Sequence, residues 1–185
     1  DTGHKSIIGV FKSDDIQGQN RHKGYVKALQ EAGIPYEPDH VIWFYTEDRA
    51  IHPYEAIKQM AESGVPMDGV VCYNDQIAMK VIQGLTAAGK KVPLDVSVTG
   101  YDNSYMASHG GLQLTTIVHP QEKLGEMAAE LLLKLIHCEG HRNKLPEDPS
   151  KEKMKEPVCT DILIAPELVI GNSCIVRDPI EKSMS

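Results

Sequence analysis

Three times along its first half, this 185-residue chain repeats one pattern: a short apolar run, a polar stretch, a helix-periodic segment and a closing glycine. Ile7-Ile8-Gly9-Val10-Phe11 is followed by Arg21 to Ala32, where Tyr25, Leu29 and Ala32 recur at helical spacing with Ala28 beside them, and then by Gly33. Val41-Ile42-Trp43-Phe44-Tyr45 leads to Tyr54 to Ser63, with Ile57, Met60 and Ala61 on one face, and then Gly64. Gly69-Val70-Val71-Cys72-Tyr73 leads to Asp75 to Ala88, whose Ile77, Ala78, Val81, Ile82, Leu85 and Ala88 form one stripe, and then Gly89. A fourth strand is predicted over Val96 to Tyr101. Strands alternating with amphipathic helices require an α/β fold: a doubly wound, mostly parallel sheet with helices on both faces and right-handed crossovers.

The pattern changes after Leu114-Thr115-Thr116-Ile117-Val118. His119 suits a cap, and Pro120 suits the first position of a long helix reaching Ile136. Its stripe of Leu124, Met127, Ala128, Leu131, Leu132, Leu135 and Ile136 has to be buried somewhere. Glu139 to Thr160 is rich in Lys, Glu and Pro and reads as a solvated loop. Asp161 to Ile170 reads as a last strand, with Pro166 marking an edge or bend, and the tail after Cys174 is expected to fray.

Each of three apolar runs ends in hydrogen-bonding side chains: Lys12-Ser13-Asp14-Asp15, Tyr73-Asn74-Asp75 and Tyr101-Asp102-Asn103. Open α/β sheets bind ligands at the carboxyl ends of their strands, so the chain is expected to bind a small polar molecule. With 26 acidic against 19 basic residues, the net charge of -7 gives no basic surface for nucleic acid. Cys72, Cys138, Cys159 and Cys174 form no CxxC pair and suit free thiols in a reducing, cytoplasmic compartment. No apolar run approaches the roughly 20 residues of a membrane span, and Asp1-Thr2-Gly3-His4-Lys5 has no signal-peptide character. No Gly-x-Ser-x-Gly elbow, Walker loop or Gly-x-Gly-x-x-Gly stands at a strand end, so nucleophilic catalysis and phosphate binding lack their motifs; a non-enzyme without a cofactor is expected, with a doubly wound sugar enzyme as a rival that would need a metal or phosphate site. A zinc site would have to draw on His137, Cys138, His141 and Cys159, whose spacing fits no strong pattern, and no metal is expected.

The succession Gly3-His4-Lys5, Arg21-His22-Lys23-Gly24-Tyr25, Tyr73-Asn74-Asp75-Gln76-Ile77-Ala78, Val92-Pro93, Asp95-Val96-Ser97-Val98-Thr99-Gly100-Tyr101-Asp102 and Leu114-Thr115-Thr116-Ile117 resembles the effector-binding half of the lactose/galactose-repressor family. Phe11-Lys12-Ser13-Asp14-Asp15, Cys72-Tyr73-Asn74-Asp75 and His119-Pro120 resemble most the arabinose-responsive repressors of Gram-positive bacteria, which join this sugar-binding fold to a winged-helix head. The resemblance implies a periplasmic-binding-protein-like fold of two lobes with a sugar in the cleft between them. It implies that residues 1–117 form the carboxyl-terminal lobe, and that 118–138 are a crossing and a helix of the other lobe. Residues 139–160 would then be a polar loop, 161–174 a returning strand that also belongs to the other lobe, and 175–185 a tail, so that the chain holds one complete lobe plus a helix and a strand of the second. The expected function is a non-enzymatic sugar sensor of a repressor, with L-arabinose as first candidate. Operator DNA would be bound through a head outside this chain, the protein would be a homodimer, and a piece lacking one wall of the cleft would bind sugar weakly. An extracytoplasmic sugar-binding protein feeding a transporter is the alternative.

A sugar offers vicinal hydroxyls and apolar C–H faces, so its site needs fixed donors, acceptors and a flat aromatic wall. By resemblance, Arg21 donates to sugar oxygens, Asn74 donates and accepts, Asp102 accepts from two hydroxyls, and His119 reaches the ligand from a crossing. Tyr45 is the candidate wall, with Phe44 or Tyr73 as alternatives. Each has a plainer reading. Asn74 could cap the next helix and Asp75 is expected to; Asp102 could be a turn residue, Arg21 a solvated helix residue and Tyr45 part of the core. Of Lys12, Asp14 and Asp15, two are expected to meet only water.

Overall fold

In the computed structural model, which describes residues 3–108, 111–140 and 162–177, strand β1 (Ile7–Lys12) sends alternate side chains to opposite faces of a sheet. Ile8 and Val10 enter one hydrophobic cluster and Ile7 and Phe11 the other. Strands β2 (Val41–Phe44) and β3 (Gly69–Cys72) do the same: Ile42, Phe44, Val70 and Cys72 join Ile8 and Val10, while Val41, Trp43 and Val71 join Phe11. With β4 (Ser97–Thr99), these strands pair in parallel in the order β2-β1-β3-β4. Burial on both faces is what a parallel sheet requires, and it explains why the strands read as continuous apolar runs.

Helices fill the two faces unequally. Helices α2 (His52–Glu62) and α3 (Asp75–Ala87) cover the larger cluster with Ile57, Ala61, Ile77, Ala78, Val81 and Leu85. They cross closely at Gly84, where an added Cβ would lie 2.6 Å from Ile57 Cγ2 and 2.6 Å from the Tyr54 carbonyl oxygen. Helix α1 (Ile16–Glu31) covers the other face with Tyr25 and Leu29, and the Tyr25 hydroxyl donates to the Ile7 carbonyl at 2.8 Å. Gly33, Gly64 and Gly89, expected as stops, follow the three helices at φ of +69°, +75° and +78°.

Helix α1 starts at Ile16 rather than Arg21, because Asp15 caps it with a 2.6 Å bond from the Gly18 amide; apart from the buried Gly18 its first turn is exposed and carries no apolar period. Strand β4 is shorter than the apolar run Val96 to Tyr101 predicts, since Gly100 onward turns to meet β5 (Thr116–Val118). Of the strand expected over Asp161 to Ile170, the described residues 162–170 form only β6 (Glu167–Val169), pairing antiparallel with β5. Leu163 is 94% exposed and lies in no strand, since Pro166 interrupts the run before Glu167. Beyond β6 the chain runs along the outer edge of β4: the Val98 amide donates to the Ser173 carbonyl at 2.9 Å and the Ser173 hydroxyl donates to the Val98 carbonyl at 2.6 Å. Ile175 and Arg177, expected to open a frayed tail, are instead tied to Ser97, Leu94 and Asp95.

The chain divides into two compact units, Asp1–Val118 with Glu167–Ser185, and His119–Pro166. Strands β5 and β6 are therefore the two segments by which it leaves and re-enters the first unit. The second unit contains α4 (Gln121–Gly140), which exposes Leu124, Leu132 and Ile136. The loop expected over 139–160, and His141 and Cys159 of the weighed zinc set, fall outside the described residues, as do the side chains of His137 and Cys138. Among the described residues no helix is long and apolar enough to cross a membrane.

Leu85 is fully buried between α3 and the sheet, so Leu85→Ala should cost about 2–5 kcal/mol. Gly84→Ala should cost about 1–3 kcal/mol by forcing α2 and α3 apart. Urea unfolding of each variant, read as a fall in midpoint at constant slope, measures both.

Candidate functional site

Because the sheet is parallel, β1, β2, β3 and β4 all deliver their carboxyl ends to one edge. At the end of β1, Lys12 Nζ lies 3.2 Å from Asp15 and 3.7 Å from Asp14. Asp14 accepts from the Thr46 hydroxyl at 2.7 Å, which holds its carboxyl below the usual carboxylate range. Asp15 serves twice: one oxygen caps α1 and the other accepts from the Tyr73 hydroxyl at 2.7 Å. Burial pushes the Asp15 carboxyl up, but the Gly18 amide, the Tyr73 hydroxyl and Lys12 together pull it below its ordinary value. Burial, followed by the Asp15 carboxylate, pushes the Tyr73 phenol up to about 12.

Arg21 is placed by α1 so that its guanidinium reaches the ends of β3 and β4. Nη1 donates to the Tyr73 carbonyl, and Nη2 lies 3.4 Å from Asp102 Oδ1. The guanidinium carbon stands 3.8 Å from the Tyr101 ring centroid and 4.5 Å from that of Tyr73. Fork, ion pair and two aromatic faces fix one orientation, which a lysine at this position could not reproduce. Arg21 also reaches the rim of a hollow of about 650 Å³ on the α1 face of the sheet, lined by Ile7, Phe11, Val71, Ile117 and Leu168. Those walls are apolar; the groups that match hydroxyls lie on the strand-end edge.

Asp102 sits in a strained turn, with φ of +96° followed by +47° at Asn103, the left-handed region that Asp and Asn tolerate better than most residues. The turn is held to β5: Gly100 and Asp102 amides donate to the Thr115 and Ile117 carbonyls, each at 2.9 Å, and the Asn103 amide donates to Thr116 Oγ1 at 3.3 Å. Beneath it Asp75 is only 1% exposed. Its Oδ1 accepts from the Thr116 hydroxyl and its Oδ2 from the Ser104 amide, both at 2.6 Å.

The structure brings Arg21 and Asp102 into contact and puts Asn74 beside Tyr73, the partner of Arg21. Asn74 is the cap of α3, its Oδ1 accepting from the Ile77 amide at 3.0 Å. The expected cap role of Asp75 is thereby corrected: Asp75 is the first helical residue, and its carboxyl turns inward to Thr116 and Ser104. Tyr45 is 54% exposed at the end of β2, so it is no core residue, whereas Phe44 is 1% exposed and unavailable as a wall. His119 is exposed and belongs to the other compact unit. Two residues escaped sequence reasoning: Tyr101, the ring nearest Arg21, and Thr116, the partner of Asp75. The strand-end position of Tyr101 was its one available signal; nothing in the spacing marks Thr116.

The burial of the Tyr73 phenol, together with its bond to Asp15, has a measurable signature. A phenol raised from 10.0 to about 12 favours folding while neutral, a contribution complete below pH 10 and lost as pH rises toward 12. The difference between phenolate titrations of the wild-type protein and Tyr73→Phe should show a midpoint near 12; a midpoint at the ordinary 10.0 would mean that the phenol is neither buried nor bonded to Asp15. Asp15 has the opposite sign: its contribution is present above the unfolded value of 3.8 and is lost as pH falls below it, so Asp15→Asn should flatten the acid limb of stability.

The "Periplasmic binding protein-like domain" family matches residues 1–174. The chain is 37% identical over 158 residues to the arabinose metabolism transcriptional repressor of Halalkalibacterium halodurans, covering 85% of this chain and 42% of that protein. It is 32% identical over 175 residues to the repressor of the same name from Geobacillus stearothermophilus, covering 92% of this chain and 43% of that one. It thus spans less than half the length of these relatives. A solved structure described as a complex of the transcriptional regulator CelR with cellobiose superposes with a TM-score of 0.73 at 26% identity, over 93% of this chain and 47% of that one. The parallel sheet, its strand-end edge and these matches agree, and the chain belongs to the periplasmic binding protein-like domain family.

Proposed function

We propose that this chain is effector-binding sequence of a bacterial transcriptional repressor, sensing a sugar at the strand-end edge and releasing operator DNA when the sugar binds. The observation that carries the reading is Arg21, braced by the Tyr73 carbonyl, two tyrosine rings and Asp102, on the edge where a parallel sheet takes its ligands. In this reading Arg21 donates to ring or hydroxyl oxygens and Asp102 accepts from vicinal hydroxyls. Asn74 offers its amide nitrogen, the oxygen being spent on the α3 cap, while Tyr45 and His119 complete the site. Tyr101 and Tyr73 supply aromatic surface beside Arg21.

L-arabinose is the first candidate, because two relatives are named as arabinose metabolism repressors; a neighbour described with cellobiose supports a saccharide in general. The same names favour a cytoplasmic repressor over a transporter's sugar-binding protein. Operator contact would come from a head domain, the assembly would be a homodimer, and the protein would turn over no substrate. Residues 1–117 would form one lobe and the segment from 118 a crossing into the other, so that the sugar closes the lobes and shifts the DNA-binding equilibrium.

Calorimetry of the full-length protein with a panel of pentoses and hexoses tests the reading, with L-arabinose expected to bind and the absence of any saccharide binding counting against it. Asp102→Ala in that protein should weaken sugar binding by about ten-fold or more while operator affinity stays unchanged. Wild-type sugar response in Asp102→Ala would remove Asp102 from the site.

A further inference from the structure

The sugar-sensing reading leaves one buried group without a task. Asp75 is 1% exposed at the first turn of α3, and burying a carboxyl demands partners. Those partners come from the two sides of one junction. The Ser104 amide belongs to the segment that follows the Asp102–Asn103 turn, and the Thr116 hydroxyl belongs to β5, by which the chain leaves this unit. Thr116 Oγ1 in turn accepts from the Asn103 amide, so turn, carboxyl and outgoing strand close a ring of hydrogen bonds. The backbone repeats the connection, since the Asp75 amide donates to the Tyr101 carbonyl at 2.9 Å. Gly100 permits the approach: a Cβ there would collide with the Asp75 carboxyl.

We infer that Asp75 is a positioning residue that locks the Asp102 turn to the β5–β6 ribbon, so that a ligand contact at Asp102 is carried to the strands joining the two units. The inference rests on the sugar-sensing reading for its physiological use but not for its structural content. A turn at positive φ on two consecutive non-glycine residues holds its shape only because its surroundings over-determine it. Asp75 and Thr116 do this from below, while Asp102 faces Arg21. Shifting the Asp102 carboxyl therefore strains bonds that end on β5, and β5 carries that strain to β6 through the pairs Thr116 with Val169, Ile117 with Leu168 and Val118 with Glu167.

Two measurements on the full-length protein test this. In amide exchange, Asp75→Asn, which replaces one acceptor oxygen with a donor, should speed Gly100, Asp102 and Asn103 by about ten-fold while Ile8, Val10 and Val70 keep wild-type rates. Thr116→Val should reproduce that pattern, and Thr116→Ser, which keeps the hydroxyl, should restore wild-type rates, so the pair decides the matter even if Asp75→Asn does not fold. Uniform acceleration across the unit, or none, would overturn the inference by making Asp75 an ordinary stabilising residue. In the second measurement, the ratio of operator affinities without and with saturating L-arabinose should fall about ten-fold in Thr116→Val relative to Thr116→Ser. Equal ratios in the two would overturn the relay. A wild-type protein indifferent to L-arabinose would count against the sugar assignment, and the exchange pattern would still decide whether Asp75 forms the lock.

Discussion

Everything else in this fold depends on a parallel sheet whose two faces must both be covered. Strict alternation in β1, with Ile8 and Val10 to one side and Ile7 and Phe11 to the other, divides the core into two clusters and makes the interiors of β1, β2 and β3 apolar. Hydrogen-bonding groups are thereby driven to the strand ends, and parallel pairing gathers those ends on one edge. The candidate site is the place where the sheet's demand for burial stops.

The side chains of that edge hold one another in place. Arg21 has its orientation fixed by a carbonyl, a carboxylate and two rings, and Asp15 joins the start of α1 to Tyr73 on β3. Groups already held in place lose little freedom on binding, so more of their interaction energy appears as affinity. Asn74 illustrates an economy of the same kind, because one side chain caps a helix through its oxygen and retains its amide nitrogen for other work.

The order of strands and helices was legible because it follows from periodicity: each apolar run and each stripe came from the need to bury one face, and each glycine stop from the left-handed conformation after a helix. What escaped is governed by contacts distant in sequence. The early start of α1 is set by the Asp15 cap rather than by an apolar stripe, and the shortness of β6 by Pro166 together with pairing to β5 alone. Arg21 and Asp102 were singled out through motif resemblance, and the structure brings their side chains together across the strand ends. The exchange of roles between Asn74 and Asp75 was not identifiable, because both suit a cap and only Thr116 and Ser104, far along the chain, draw Asp75 inward.

The clasp of Ser173 on β4 bears on the order in which this unit is made. Strands β1 to β4 and their helices are contiguous in sequence, but Val98 receives its outer hydrogen-bonding partners from Ser173 and Cys174. Until that segment has been made, the Val98 N–H and C=O stay unpaired at the β4 edge beside the stretch that Thr115 already bridges, and unpaired strand edges are templates on which chains pair wrongly. Completion of the sheet therefore waits on the last stretch of the unit to be synthesised, and the long excursion through the second unit sets the length of that wait.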